Sequence, residues 1–241
     1  MNYENYVDKN KISLQREAER KKYVKRTAII FTIIIATIFI LSITIQATFQ
    51  VRHVRIDGSS MYPNLVDNEK VWAAKIPWQK EYHRGEVITF DAKNIDNATN
   101  GKPIDYVKRV IGVPGDTISY DDGNIFINGK KINQDFIGKK DRENTGLDYQ
   151  NKWDLKSLVT ASQKGDNGTD SVWNKQSVKK LKANNWKIPK DMYFVLGDNR
   201  TISNDSRYYG LVPKKDIIGR VFTLNNYHRN QINNVVIEVD K

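Results

Sequence analysis

The chain has 241 residues, and 39 Lys+Arg against 28 Asp+Glu leave a net charge of +11. It contains no Cys, which excludes disulfides, a thiolate nucleophile and Cys-ligated zinc or iron–sulfur centres. Its three His (His53, His83, His228) are too few and too scattered for a His-rich metal site, and 10% aromatics with 14 Gly argue against wholesale disorder.

Residues 1–26 hold eight Lys+Arg and four acids, with a basic cluster from Arg20 to Arg26. From Thr27 to Val51 there is no charged residue, and about 20 residues of helix cross a hydrocarbon core. Lipid forces backbone hydrogen bonds inside the segment, so a helix is expected despite the many β-branched residues. A cleaved signal peptide has a shorter apolar stretch and a small-x-small end. Here the run ends Ile45-Gln-Ala-Thr-Phe49, so a retained anchor is expected. The basic side predicts a cytoplasmic N-terminus and an external remainder.

Beyond the anchor the pattern turns to short β runs. Val51–Ile56, Glu86–Phe90, Asp105–Ile111, Ile118–Tyr120, Asn124–Asn128, Met192–Leu196 and Ile217–Leu224 read as strands. Pro114-Gly115 suits a type II turn, and Asp122-Gly123 and Asn128-Gly129 are hairpin signals. The expectation is a mostly β domain, barrel or sandwich. Residues 137–190 break the rhythm with twelve Lys+Arg and six acids, and read as an inserted subdomain with a short helix over Ser177–Trp186. This lysine-rich face is either simply solvated or turned toward anionic lipid headgroups or cell-wall polymers. Since the basic excess is split between the N-terminal tail and this insert, no nucleic-acid partner is expected.

Three motifs carry chemistry. Gly58-Ser-Ser60 places hydroxyls on a tight loop beside Met61 and Pro63. In Tyr106-Val-Lys-Arg-Val-Ile-Gly-Val-Pro-Gly-Asp116, strand alternation sets Tyr106, Lys108 and Val110 on one face, with Val107, Arg109 and Ile111 on the other. Lys108 between apolar neighbours loses hydration, which lowers its pKa. A neutral amine can accept a Ser proton. In Gly197–Gly210, Asp198, Asn199, Arg200, Asp205 and Arg207 can bond one another and hold the loop, while the Ser203 hydroxyl could orient the lysine amine. Met61, Tyr62, Trp72 and Trp78 read either as core or as an apolar rim at the lipid interface.

Taken together, GSSMYPNL, GEVITF (Gly85–Phe90), YVKRVIGVPGD and GDNRTISNDSRYYG, in this order behind one anchor, closely resemble bacterial type I signal peptidases. The resemblance implies a membrane-bound serine endopeptidase that removes signal peptides from exported preproteins through an acyl-enzyme, without metal or cofactor. It implies Ser60 as nucleophile, Lys108 as general base, Ser203 as hydrogen-bond partner of the amine, and Asp205 with Arg207 as a supporting ion pair. Some members carry a Ser where this chain has Gly58, so the oxyanion would rest on backbone N–H groups, chiefly that of Ser60. The single anchor resembles the one-span form of Gram-positive bacteria. The resulting division is a cytoplasmic segment 1–26, an anchor 27–51 in the lipid bilayer, and an extracytoplasmic catalytic domain 52–241 with the insert at about 137–190. A binding module on a decayed protease fold, or a Ser/Lys protease for one dedicated partner, are the competing readings.

Overall fold

The structure is a computed structural model that describes residues 3–138, 152–165 and 171–239. It divides into two units, 1–48 and 49–241.

The first unit is helix α1, Tyr3–Phe49. It begins well before the apolar run and takes in the basic segment, which the sequence reading left unassigned. It ends at Phe49, two residues short of Val51, and is followed by Gln50, whose φ is +44°. Every side chain from Arg16 to Thr48 is exposed, including Ile29, Phe31, Ile35 and Leu41. Five threonines return their hydroxyls to carbonyls four residues back, which satisfies them within the helix. The stretch Arg16–Thr48 is long and apolar enough to cross a membrane, and it fits a single-pass membrane protein.

The second unit is mostly β. Its main sheet holds seven strands: β1 (Arg52–Arg55), β2 (Lys70–Ala74), β3 (Val87–Asp91), β4 (Asp105–Gly112), β9 (Met192–Leu196), β10 (Val212–Pro213) and β11 (Ile217–Phe222), in the order β1-β2-β11-β3-β4-β9-β10. A four-stranded sheet, β7-β6-β5-β8, is built from β5 (Ile118–Asp121), β6 (Asn124–Ile127), β7 (Lys130–Lys131) and β8 (Lys152–Asp154). Pairing in both sheets is antiparallel. Arg52 on β1 reaches Asp105 on β4 at 2.7 Å although three strands lie between them, so the main sheet curls back on itself.

Local sequence explains most of this. Asp122-Gly123 and Asn128-Gly129 each take positive φ at both positions and close the two-residue β5–β6 and β6–β7 turns. β11 alternates buried Ile217, Gly219 and Val221 with half-buried neighbours. β9 is buried along its whole length, and its five apolar side chains fill the core on both faces. β2 escaped the sequence reading because Lys-Val-Trp-Ala-Ala has weak strand propensity; pairing with β1 and β11 overrides it.

Between the end of β4 at Gly112 and the start of β9 at Met192 the chain makes one long excursion. It contains the second sheet and helices α2 (Leu155–Lys164) and α3 (Lys175–Ala183). Helix α3 lies close to the expected Ser177–Trp186, while α2 was not expected. Residues 139–151 and 166–170 of the insert lie outside the described residues. The excursion is not a loose appendage: Tyr120, Ile125, Trp153, Leu158 and Leu181 share one buried cluster with Phe194 and Leu196 of β9. Two short helices, α4 (Ser206–Tyr209) and α5 (Arg229–Asn233), complete the unit.

Candidate active site

Chain connectivity brings the three motifs to one place. Ser60 lies on the loop that leaves β1, and Met61 and Leu65 pin that loop into a core shared with Val71, Val87 and Val107. Lys108 lies midway along β4, and the Gly197–Gly210 loop leaves the end of β9. A cleft of about 430 Å³ opens between β1 and β4 and is lined by Gly58, Ser60, Tyr106, Lys108, Ile202 and Asn204 among others.

In the cleft Lys108 Nζ donates to Ser60 Oγ at 2.9 Å and to the Val107 carbonyl at 3.1 Å. Lys108 is 4% exposed. Burial pushes its ammonium down from 10.5 to about 8; Asp205 pulls it up, Arg207 pushes it down, and Asp198 and Asp96 pull it up. The Tyr106 ring lies 5.3 Å from Nζ, as alternation along β4 predicts. A buried amine with a lowered pKa, hydrogen-bonded to a serine hydroxyl, can deprotonate that hydroxyl.

The Ser203 hydroxyl is buried and meets no hydrogen-bond partner among the described residues, while the lysine's second bond goes to its neighbour's carbonyl. Ser203 Oγ lies against Gly197, where a Cβ would overlap it and come within 2.5 Å of the Ser60 carbonyl oxygen. A glycine at 197 therefore lets this loop close on the Ser60 loop.

Asp205 and Arg207 form a bidentate pair at 2.8 and 2.9 Å, and both are buried. Burial pushes the Asp205 carboxyl up, but Arg207 and the Gly197 N–H outweigh it and hold the carboxyl below its ordinary value. The same carboxylate caps α4 through the Arg207 N–H. The other charged residues of the motif mostly do not bond one another, as the sequence reading had allowed. Asp198 receives Arg109 Nε and Nη2 at 2.8 and 2.6 Å, together with Asn64 Nδ2. Asn199 donates to the carbonyls of Ser60 and Ser59. Arg200 reaches the Gly197 carbonyl and Gln134. Motif three thus clamps motifs one and two. Asn64 was missed, although it stands inside the first motif; an Asn in a turn is ordinarily read as a turn former.

Gly58 has φ +84° and nothing within 4 Å of a built Cβ, so backbone conformation and not crowding favours glycine there. Its N–H is committed to Asp67 Oδ1 at 2.8 Å. The Ser60 N–H, by contrast, meets no acceptor among the described residues. Of the four rim candidates, Met61 is core at 1% exposure and Trp72 packs on the His53 ring at 3.6 Å, which leaves Tyr62 and Trp78 exposed. Among the described residues no group of three His, Cys, Asp or Glu converges to hold a metal ion.

Signal peptidase IB of Staphylococcus aureus strain Mu50 is 32% identical over 199 residues, a match spanning 82% of this chain and 89% of that protein. Signal peptidase I P of Bacillus subtilis subsp. natto is 32% identical over 203 residues, spanning 83% and 90%. The crystal structure of a signal peptidase I from Enterococcus faecalis V583 aligns at 28% identity with a TM-score of 0.40, covering 58% of this chain and 97% of that one. The family model described as signal peptidase, peptidase S26, matches residues 21–224. The chain belongs to that family, whose members are serine peptidases that remove signal peptides.

Proposed function

We propose that the chain cleaves exported preproteins with Ser60 as nucleophile and Lys108 as general base, through an acyl-enzyme. The observation that carries this reading is the 2.9 Å bond between Lys108 Nζ and Ser60 Oγ in a site that favours the neutral amine. Lys108 takes the Ser60 proton as Oγ attacks the scissile carbonyl carbon. The C–N bond then breaks, and the departing amine receives that proton from Lys108. Lys108, neutral again, next takes a proton from water as the water oxygen attacks the ester carbonyl carbon; the C–Oγ bond breaks and Ser60 Oγ recovers that proton from Lys108. The Ser60 N–H, which meets no acceptor among the described residues, suits the oxyanion, and one such donor contributes about 3 kcal/mol.

The substrate segment adds as a strand between two edges. β1 is the outer strand of its sheet, and, among the described residues, 105–108 of β4 pair only with β3, because β9 joins β4 at Arg109. Helix α1 anchors the enzyme in the bilayer. The basic cluster before the apolar run supports a cytoplasmic N-terminus and an extracytoplasmic catalytic unit.

The test is cleavage of a preprotein by the detergent-solubilised full chain across pH 5–10. Activity rises with pH through an apparent pKa near 8, where Lys108 loses its proton, and Ser60→Ala is inactive. Processing by Ser60→Ala at the wild-type rate would overturn the nucleophile assignment.

A further inference from the structure

We propose that Asp96 is a positioning residue of the Ser60–Lys108 site: its carboxylate fixes Tyr106 beside the lysine amine and orients Asn204 on the cleft wall. The proposal rests on reading Lys108 as the general base. Asp96 belongs to none of the three motifs. It lies on the loop after β3, where it caps the short turn Asn97–Thr99, and it is 1% exposed.

Its carboxylate is saturated. Oδ2 accepts the Tyr106 hydroxyl at 2.9 Å and Asn204 Nδ2 at 2.6 Å, while Oδ1 accepts the Ala98 N–H at 3.0 Å and the Ser171 hydroxyl at 2.8 Å. These are about as many bonds as an ionised carboxylate can take. Two of the four partners line the cleft, and a third comes from the insert. A carboxylate only accepts, so the Asn204 amide must present its NH₂ inward to Asp96. The Tyr106 ring, held by its hydroxyl, stays within reach of the Lys108 ammonium, which the ring face favours. Burial and Asp96 together push the Tyr106 hydroxyl up, so it remains a donor at every working pH.

Asp96 therefore acts on the amine in two ways, by placement through Tyr106 and by charge. The charged groups that act on Lys108 from the elements around it are Asp205, Arg207 and Asp198 of the loop after β9, and Asp96 of the loop after β3. Replacing Asp96 with Asn removes one of three anions. It also turns one carboxylate oxygen into an NH₂: set toward the cleft it opposes the Tyr106 hydroxyl and the Asn204 NH₂, and set away from it the Ala98 N–H and the Ser171 hydroxyl, so one of the two pairs must rearrange.

The experiment measures kcat, KM and pH profile of preprotein cleavage for the full chain and for Asp96→Asn, Tyr106→Phe and Lys108→Ala, with active enzyme counted by its acyl burst. Asp96→Asn loses about tenfold in kcat per active site, within the 10²-fold range of small misplacements. Its ascending limb moves to lower pH, because the neutral amine is favoured. Tyr106→Phe keeps ring and charge, loses less in kcat, and leaves the limb in place. A purely structural Asp96 would lower the active fraction and thermal midpoint with kcat per site and limb unchanged, which overturns the proposal. Should Asp96→Asn not fold, a Tyr106→Phe enzyme with wild-type kcat overturns it instead. An active Lys108→Ala enzyme would show that the base assignment, and not the Asp96 inference alone, has failed.

Discussion

Lys108→Arg is expected to abolish preprotein cleavage, with a loss on the order of 10⁴-fold or more, as when a group that activates a serine is removed. A guanidinium retains its proton at any working pH, so the same buried position is occupied by a permanent cation that cannot accept from Ser60. Near-wild-type activity in this variant would remove Lys108 from the mechanism. Lys108→Met separates loss of the base from loss of the fold. In the folded protein the amine titrates near 8 instead of 10.5, so below pH 8 the fold buries an ammonium that the unfolded chain solvates freely. That penalty is fully present below about pH 8, fades between 8 and 10.5, and is absent above. At about 1.4 kcal/mol per pKa unit it amounts to roughly 3 kcal/mol. Lys108→Met is therefore inactive yet more stable than wild type by about 2–3 kcal/mol at pH 7, with the gain vanishing above roughly pH 10.5. Thermal melts in detergent at pH 7 and pH 10.5 check both the sign and the window. A variant less stable than wild type at pH 7 would mean that the amine's bonds to Ser60 and Val107 outweigh its burial.

The parts of this molecule legible in the sequence are those where chemistry is local. The α1 span, the β5–β6 and β6–β7 turns and the β4 alternation each follow from neighbouring residues: an uncharged run, paired positive-φ positions, a period of two. Ser60 and Lys108 were legible as a pair only through the order of the motifs, since neither residue alone distinguishes itself from a turn former or a surface lysine. What stayed hidden is long-range. Asp96 is tied to Tyr106, Ser171 and Asn204 across separations of 10, 75 and 108 residues, and no periodicity encodes such a meeting. The same holds for Asn64, which joins Asp198 across 134 residues. That β5 and β6 belong to a sheet of their own was equally hidden, because they alternate just as core strands do and only pairing separates the sheets. Ser203 illustrates the opposite limit: its role beside the amine comes from family resemblance alone, and the second bond of Lys108 goes to the Val107 carbonyl.

Asp198→Ala is expected to be among the most damaging changes away from the dyad. Arg109 has no exposed side-chain surface and directs Nε and Nη2 at Asp198, with Nη1 on the Gly85 carbonyl and a further bond to the Gln231 carbonyl. Removing the carboxylate strands a buried guanidinium and also deprives Asn64 Nδ2 of one acceptor. Breaking a buried pair in this way costs about 3–5 kcal/mol. Such a loss is a large share of a typical domain's 5–15 kcal/mol, so the unfolding midpoint in denaturant should fall sharply. Replacing both partners, Arg109→Met with Asp198→Leu, removes the stranded charge and should recover most of that stability. Activity should not return with it. Asp198 immediately precedes Asn199, whose N–H and side chain hold the Ser60 and Ser59 carbonyls, while Arg109 immediately follows Lys108. The ion pair therefore fixes the register between the strand that carries the amine and the loop that grips the Ser59 and Ser60 backbone. A double variant that regains both stability and kcat would show that apolar packing sets that register equally well. One that regains stability with kcat still depressed would show that the buried charges are needed for placement of the dyad and not for the fold.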